Sequence, residues 1–294
     1  MNLLFDNKKS EPQHEPMECP MGDMTDRGVP TALPHHNLIE VKEGADRDIT
    51  ALIEAFKRDF GVKFVLAFSG GADDENPLLN HVSAHVRKMD LSEDVRQAVA
   101  QQIEAARQSY IEQIVRHVLI PLRGYRIAVL SGGTKWGVPA AATKIAKECN
   151  FPTIGVFPLA AMGKHTLPPD LLDLAICVHP FAYKSQWGDE SPVYTKTLDS
   201  VVVIGGGAGT MIEVAHILKL NERKDVRPKH IVPVHGTGGT ADKLSFFPGK
   251  PGTMAISIPP SPIISGMEAC RYLREHAFTE DIYEEAENLP QAAG

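Results

Sequence analysis

VVVIGGGAGTMIEV, residues 201–214, decides how this chain folds. Four apolar β-formers, Val201 to Ile204, run straight into Gly205, Gly206 and Gly207, with Ala208, Gly209, Thr210 and then Glu213 one turn further on. A continuous apolar strand that breaks at glycine and restarts as a helix is the repeating unit of a parallel sheet covered on both faces. Glycine lets backbone amides approach an anion closely. The helix that begins near Ala208 adds a partial positive charge of about half a unit. One stretch therefore predicts both a βαβ architecture and a phosphate-bearing ligand.

The same alternation extends in both directions. LIEV (38–41), VKFVLAF (62–68), RIAVL (126–130), TIGVFP (153–158), LAICVHP (174–180), HIVPV (230–234) and TMAISI (253–258) read as further strands. Helices fit over 137–149 and 208–220, and Asp48 can cap a helix carrying Ile49, Leu52, Ile53 and Phe56. A long helix from about Ser92 to Leu119 shows a stripe of Val95, Val99, Ile103, Ala106, Tyr110, Ile114 and Val118. Strands alternating with helices predict an α/β, Rossmann-like fold, with a mostly parallel sheet and helices on both faces. The expected organisation is a mobile or docking N-terminal arm over 1–36, a single domain over 37–280, and an acidic C-terminal tail over 281–294.

Four strands end in glycine-rich or polar turns: FSGGADDENP, LSGGTKWGVP, IGGGAGT and VHGTGGTADKL. Carboxyl ends of parallel strands share one edge of the sheet, and ligands bind there. The candidate binding residues are therefore Ser69, Gly70 and Gly71; Gly132, Gly133, Thr134 and Lys135; Gly205, Gly206, Gly207, Gly209, Thr210 and Glu213; and Gly236, Thr237, Gly238 and Asp242. None of the loops is a Walker A sequence or a GxGxxG fingerprint, since GGTKWG has Lys135 but no GK[ST] ending.

The order SGG, SGGTKWG, TIGVFP, VVVIGGGAGTMIE resembles the SLOG superfamily, which includes the LOG phosphoribohydrolases. Their PGGxGTxxE loop reads here Gly205 to Glu213, with glycine in place of proline. FVLAFSGGAD (64–73) and VHGTGGTADKL (234–244) are similar to segments of the nucleotide-sensing region of melastatin-type TRP channels. With no channel following, the likeness is to the stand-alone prokaryotic TRPM-like SLOG proteins. The resemblance covers about residues 60–275. It implies a nucleotide or NAD-derived, ADP-ribose-like ligand held by a sensor or carrier, and assembly as a homodimer or higher homo-oligomer. It also implies an alternative: a nucleoside-monophosphate phosphoribohydrolase, an N-glycosidase in which Glu213 is catalytic. LOG hydrolases carry an Arg-Lys pair upstream of the loop. Counted from Asp199, those positions hold Glu190 and Ser191, which weighs against cleavage.

Composition narrows the classes. The formal net charge of -7 over 294 residues argues against nucleic acid as a partner. No apolar run approaches the roughly 18 residues that span a bilayer. The opening MNLLFDNKKSEPQ is too short in apolar length for a secretory signal. Cys19, Cys149, Cys177 and Cys270 form no CxxC pair, so a cytoplasmic location is expected. No metal and no required cofactor are expected: Cys19, His14, His35 and His36 match no zinc pattern, and His81 with His85 lacks the glutamate of HExxH. Trp136 and Trp187 can each stack on a base or plug a core edge. Lys135 can meet phosphate or solvent, and Asp242 can cap a helix or touch ligand. His235 is a functional candidate beside GTGG, whereas His179 and His216 read as ordinary polar contacts. Glu213 can act on a ligand, hold ribose hydroxyls, or simply favour a helix N-terminus.

Overall fold

Burial explains the apolar runs. In the computed structural model, β2 (Phe64–Gly70), β3 (Ile127–Ser131), β4 (Thr153–Pro158) and β6 (Ser200–Ile204) are covered along nearly their whole length. A strand hidden on both faces is apolar through its middle, and the polar Ser69, Ser131, Thr153 and Ser200 stand at or next to strand ends. β1 (Asn37–Val41), β5 (Leu174–Val178), β7 (His230–His235) and the two-residue β8 (Ile256–Ser257) complete one sheet. Its order is β1-β5-β4-β3-β2-β6-β7-β8, and every pairing is parallel. The chain is an α/β, Rossmann-like protein. The structure describes residues 37–42, 46–71, 83–181, 187–223, 227–244, 256–257 and 261–283, all within the compact unit Pro34–Gly294. The expected arm, with Cys19, His14, His35 and His36, lies outside the described residues, as do His81 and residues 284–294 of the expected tail.

Helices cover the two faces: α1 (Asp46–Asp59), α2 (Glu93–Leu119), α3 (Gly137–Glu148), α4 (Ser191–Thr197), α5 (Ala208–Leu220), α6 (Gly239–Leu244) and α7 (Pro262–Tyr272). Alternate residues of β2 face opposite ways. Phe64, Leu66 and Phe68 pack with Ile114 of α2, Ile145 of α3 and Ala269 of α7. Val65 and Ala67 pack with Ile53 of α1, Tyr194 of α4 and Val214 of α5. α7 approaches α2 so closely that a Cβ on Gly266 would stand 2.5 Å from the Ile114 carbonyl oxygen. α1 begins at Asp46, so Asp48 falls inside its first turn rather than capping it.

The stripe expected along α2 is corrected by the structure. Only its second half is buried, through Ile111, Ile114, Val115, Val118 and Leu119, while Val95 is exposed. The cause is length. Twenty-seven helical residues span about 40 Å, whereas the seven residues of β2 span roughly 23 Å. The first half of α2 therefore overshoots the sheet. In a βα unit that overhang lies beyond the carboxyl ends of the strands, the rim where ligands bind.

Strand order also selects one point on that rim. From β2 the chain steps to β3 on one side, and later returns to place β6 on β2's other side. The crevice outside the carboxyl ends of β3, β2 and β6 is thus the topological switch point, the preferred ligand position in open α/β sheets.

Candidate functional site

A cavity of roughly 1110 Å³ opens at that switch point, slightly above the range usual for small-molecule sites. Gly70 ends β2 and Gly71 follows it, Gly132 and Thr134 follow β3, and Gly207, Gly209 and Thr210 follow β6; all of these line it, together with Glu213. The sheet therefore brings together residues more than a hundred positions apart. A Cβ on Gly207 or Gly209 would meet no atom within 4 Å, so both present bare backbone to the cavity. α5 starts here with no side-chain cap, leaving its first-turn N–H groups and positive helix end for an anion. α3 also starts here without a side-chain cap, but its Val138 N–H donates to Gly71 O at 3.3 Å and Pro139 has no N–H, so it offers mainly its positive end.

The remaining predicted residues stand around the cavity rather than in its lining. Gly205 and Gly206 are buried beneath the loop, and Gly133 is buried beside Phe157. The GTGG segment clamps the loop from below: Thr240 N–H donates to Gly206 O at 2.7 Å, Ala241 N–H to Gly205 O at 3.0 Å, and the Thr240 hydroxyl to Gly207 O at 2.9 Å. Gly205 N–H donates in turn to the Thr237 hydroxyl at 2.8 Å. Gly239 must be glycine here, since it sits at φ +52° with Gly206 O 2.2 Å from where a Cβ would be. Asp242 accepts from Gly236 N–H at 2.6 Å and lies 3.5 Å from His235 Nδ1. Gly236, Thr237, Gly238, Asp242 and His235 are thus placed behind the loop. Lys135 is exposed, with its ammonium 5.1 Å from the centre of the Trp136 ring.

Glu213 is the best-defined polar group of the cavity. The Ser69 hydroxyl donates to its Oε2. Burial pushes its carboxyl up to about 8; the Ser69 hydrogen bond opposes that rise, and the charge of Glu190 adds to it. Glu190 shares the cavity. Its carboxyl is itself raised by burial, against hydrogen bonds from its own N–H and that of Gly188, the latter at 2.7 Å. Tyr194, wholly buried behind them, donates its hydroxyl to Phe68 O at 3.0 Å; burial and then Glu213 hold that phenol protonated well beyond its usual range. Two carboxyl groups in one shielded pocket cannot both ionise cheaply, so Glu213 keeps its proton near neutrality.

Several lining residues were not predicted. Arg107 and Glu104 come from the overhanging half of α2, where they pair at 3.1 Å, and Arg87 comes from the helical turn over 83–87. Their sequence signal is that of ordinary surface charges. His165 follows the end of β4; treating every strand-end loop as rim, glycine-rich or not, is the rule that finds it. Trp136 and Trp187 also line the cavity. Among the described residues no group of three or more His, Cys, Asp or Glu could hold a metal, and no helix is long and apolar enough to cross a membrane.

The site is thus a Rossmann-like sheet whose glycine loops meet a carboxylate, Glu213, at the switch point. The family model described as "SLOG cluster4 family" matches residues 103–227, from within α2 past the end of α5, and over this stretch the chain is similar to that family. FVLAFSGGAD and VHGTGGTADKL, which carry the TRPM-like likeness, lie outside it. No curated protein matches the chain. Among solved structures, the X-ray structure of TM1055 is similar at 17% identity, with a TM-score of 0.47, covering 72% of this chain and 99% of that one. The molybdenum cofactor carrier protein from Chlamydomonas reinhardtii is 21% identical with a TM-score of 0.42, covering 72% and 99%. The molybdenum cofactor binding protein from Rippkaea orientalis is 19% identical with a TM-score of 0.42, covering 72% and 98%. This likeness concerns the general fold alone.

Proposed function

We propose that the chain binds a nucleotide or an NAD-derived, ADP-ribose-like ligand in this cavity, as a sensor or carrier. The observation that carries the reading is the convergence, at one switch point, of the uncapped N-terminus of α5 with the bare backbone of Gly207 and Gly209 and the positive end of α3. Arg87 and Arg107 add cations from the opposite direction in sequence, upstream of β3. Such a set suits phosphate, since backbone N–H groups position the anion and guanidinium adds charge. Glu213, protonated near neutrality, does not repel that anion and can hydrogen-bond a ribose hydroxyl. No metal is needed for this arrangement. The homodimer implied by the resemblance belongs to the same proposal. The exposed Ile264 and Met267 of α7, which share a groove with Pro121 and Tyr125, form the face it would cover; light scattering tests it.

The second reading is the N-glycosidase. It is favoured by one observation: Glu213 holds a proton near neutral pH beside a second carboxyl, Glu190. A protonated carboxyl can donate to a leaving base, and Arg87 and Arg107 supply cations that the upstream positions lack.

One experiment separates the two. Purified protein is incubated with AMP, NAD and ADP-ribose, filtered, and both fractions are examined by mass spectrometry. Intact ligand retained with the protein supports the sensor or carrier. Free base accumulating with time, and absent in Glu213→Ala, replaces that reading with the enzyme. No ligand retained and no base released removes both.

A further inference from the structure

The cavity has an aromatic side as well as a phosphate side. The chain has 2 tryptophans, and both line this cavity, with Trp136 42% and Trp187 49% exposed. His165 neighbours both, its ring centre 5.1 Å from that of Trp136 and 6.4 Å from that of Trp187. The three come from three separate segments: the start of α3, the loop after β4, and the loop before α4.

The backbone fixes this cluster. His165 N–H donates to Ala161 O at 2.9 Å, and its carbonyl accepts from Lys135 N–H at 2.9 Å. Thr134 and Thr166 form an isolated bridge alongside. The loop that carries His165 is therefore tied to the loop that carries Gly132 and Thr134. His165 Nδ1 is shielded from solvent and has no hydrogen-bond partner among the described residues. A buried polar atom left unpaired is costly, and such an atom in a cavity wall calls for a partner from outside the protein. Half-exposed indoles beside it offer flat faces on which a planar ring can stack.

We propose that Trp136, His165 and Trp187 form a base subsite: a planar nitrogenous ring stacks on the indole faces while His165 Nδ1 exchanges a hydrogen bond with the ring's edge. The inference rests on the nucleotide reading above and deepens it, fixing the ligand's orientation. The base lies at the Trp136–His165–Trp187 side, and the phosphates lie at Gly207, Gly209 and Gly132. The ligand class is narrowed to phosphate esters that carry a heteroaromatic base, as against sugar phosphates.

The test is a fluorescence titration of the full-length protein with AMP, ADP-ribose and ribose 5-phosphate. With both tryptophans in the cavity, emission reports on this subsite alone. AMP and ADP-ribose should change the emission of the wild type. Trp187→Ala should weaken both ligands at least about fivefold, the lower end of what base–aromatic stacking contributes. His165→Phe keeps a ring but removes the nitrogen, and should weaken them about three- to tenfold. Neither variant should alter binding of ribose 5-phosphate, followed by isothermal calorimetry. Thermal melting checks that the variants fold. Wild-type affinity for ADP-ribose in both folded variants overturns the subsite while leaving the nucleotide reading in place. Equal losses for ribose 5-phosphate and AMP also overturn it, since they mark a structural role. Failure of the wild type to retain any nucleotide in the filtration experiment removes the underlying reading and the subsite with it.

Discussion

Replacing Glu213 by glutamine should change how the protein's stability depends on pH. The Glu213 carboxyl stands at about 8 in the fold, against 4.5 in the open chain. Between those values the folded protein holds a proton that the unfolded chain has lost, so the unfolded state binds fewer protons and stability falls as pH rises. The decline begins near pH 4.5 and ends near pH 8. Each pH unit corresponds to about 1.4 kcal/mol, so the full window is worth at most about 5 kcal/mol. Water entering an open cavity reduces this. The assay is urea unfolding of wild type and Glu213→Gln from about pH 5 to about pH 9. The variant's advantage should grow steadily and then level off near pH 8. Two further variants probe the causes. Glu190→Gln removes a neighbouring charge and should bring the levelling point below that of wild type, whereas Ser69→Ala removes a hydrogen bond to the ionised form and should move it higher. Parallel curves for wild type and Glu213→Gln across the window would refute the reasoning, because Glu213 would then ionise as an ordinary carboxylate.

The glycines separate binding from folding. Gly209→Val should keep the melting temperature near wild type yet abolish ligand retention, because its Cβ enters open cavity; retained affinity would count against phosphate at this loop. Gly239→Ala should do the reverse and lower stability in denaturant unfolding, since its Cβ would collide with Gly206 O and the backbone sits at φ +52°. Arg107→Ala and Arg87→Ala should each weaken AMP binding, with losses that shrink as salt is raised from about 0.05 to about 0.5 M; salt-independent losses would point to packing instead. Gly266→Val should destabilise by about 1–3 kcal/mol in urea unfolding, because α7 would be pushed off the Ile114 carbonyl.

What was legible in the sequence follows from which interactions are local. Val201–Ile204 is apolar on both faces and announces a central strand; Gly205 to Gly209 announces the turn at its end. Those signals lie within a few residues of each other, and the structure places strand and helix where they predict, β6 at Ser200–Ile204 and α5 at Ala208–Leu220. The order of strands in space is not local, yet it makes β2 the switch point and brings Ser69 against Glu213. α7 escaped notice because Pro262 and Ser261 follow a proline-rich stretch that reads as loop. Arg107 looks like one more solvated helix charge until the length of α2 is set against that of β2. His165 carries no motif at all, and its role in the cavity comes from the loop after β4 folding back beside two tryptophans.

Glu190 ties the electrostatics to the choice between holding and cleaving a ligand. The Glu190 carboxyl adds like charge to Glu213 and helps keep that group protonated. The consequences differ for each role. A sensor or carrier benefits below pH 8, because a neutral Glu213 leaves the anionic ligand unopposed; its affinity should fall as Glu213 ionises. An N-glycosidase that uses Glu213 as an acid should lose rate over the same rise in pH. One that uses the carboxylate to stabilise positive charge on the ribose should instead gain rate and be nearly idle near neutrality. Arg87 and Arg107 approach from the turn before α2 and from α2 itself, whereas the charge that adds to the raised carboxyl of Glu213 is that of Glu190. Measuring retention of ADP-ribose and release of base on either side of pH 8, in wild type and Glu190→Gln, therefore distinguishes all three. Glu190→Gln should leave binding intact to a lower pH limit than wild type; an unchanged limit would mean that Glu190 does not act through Glu213.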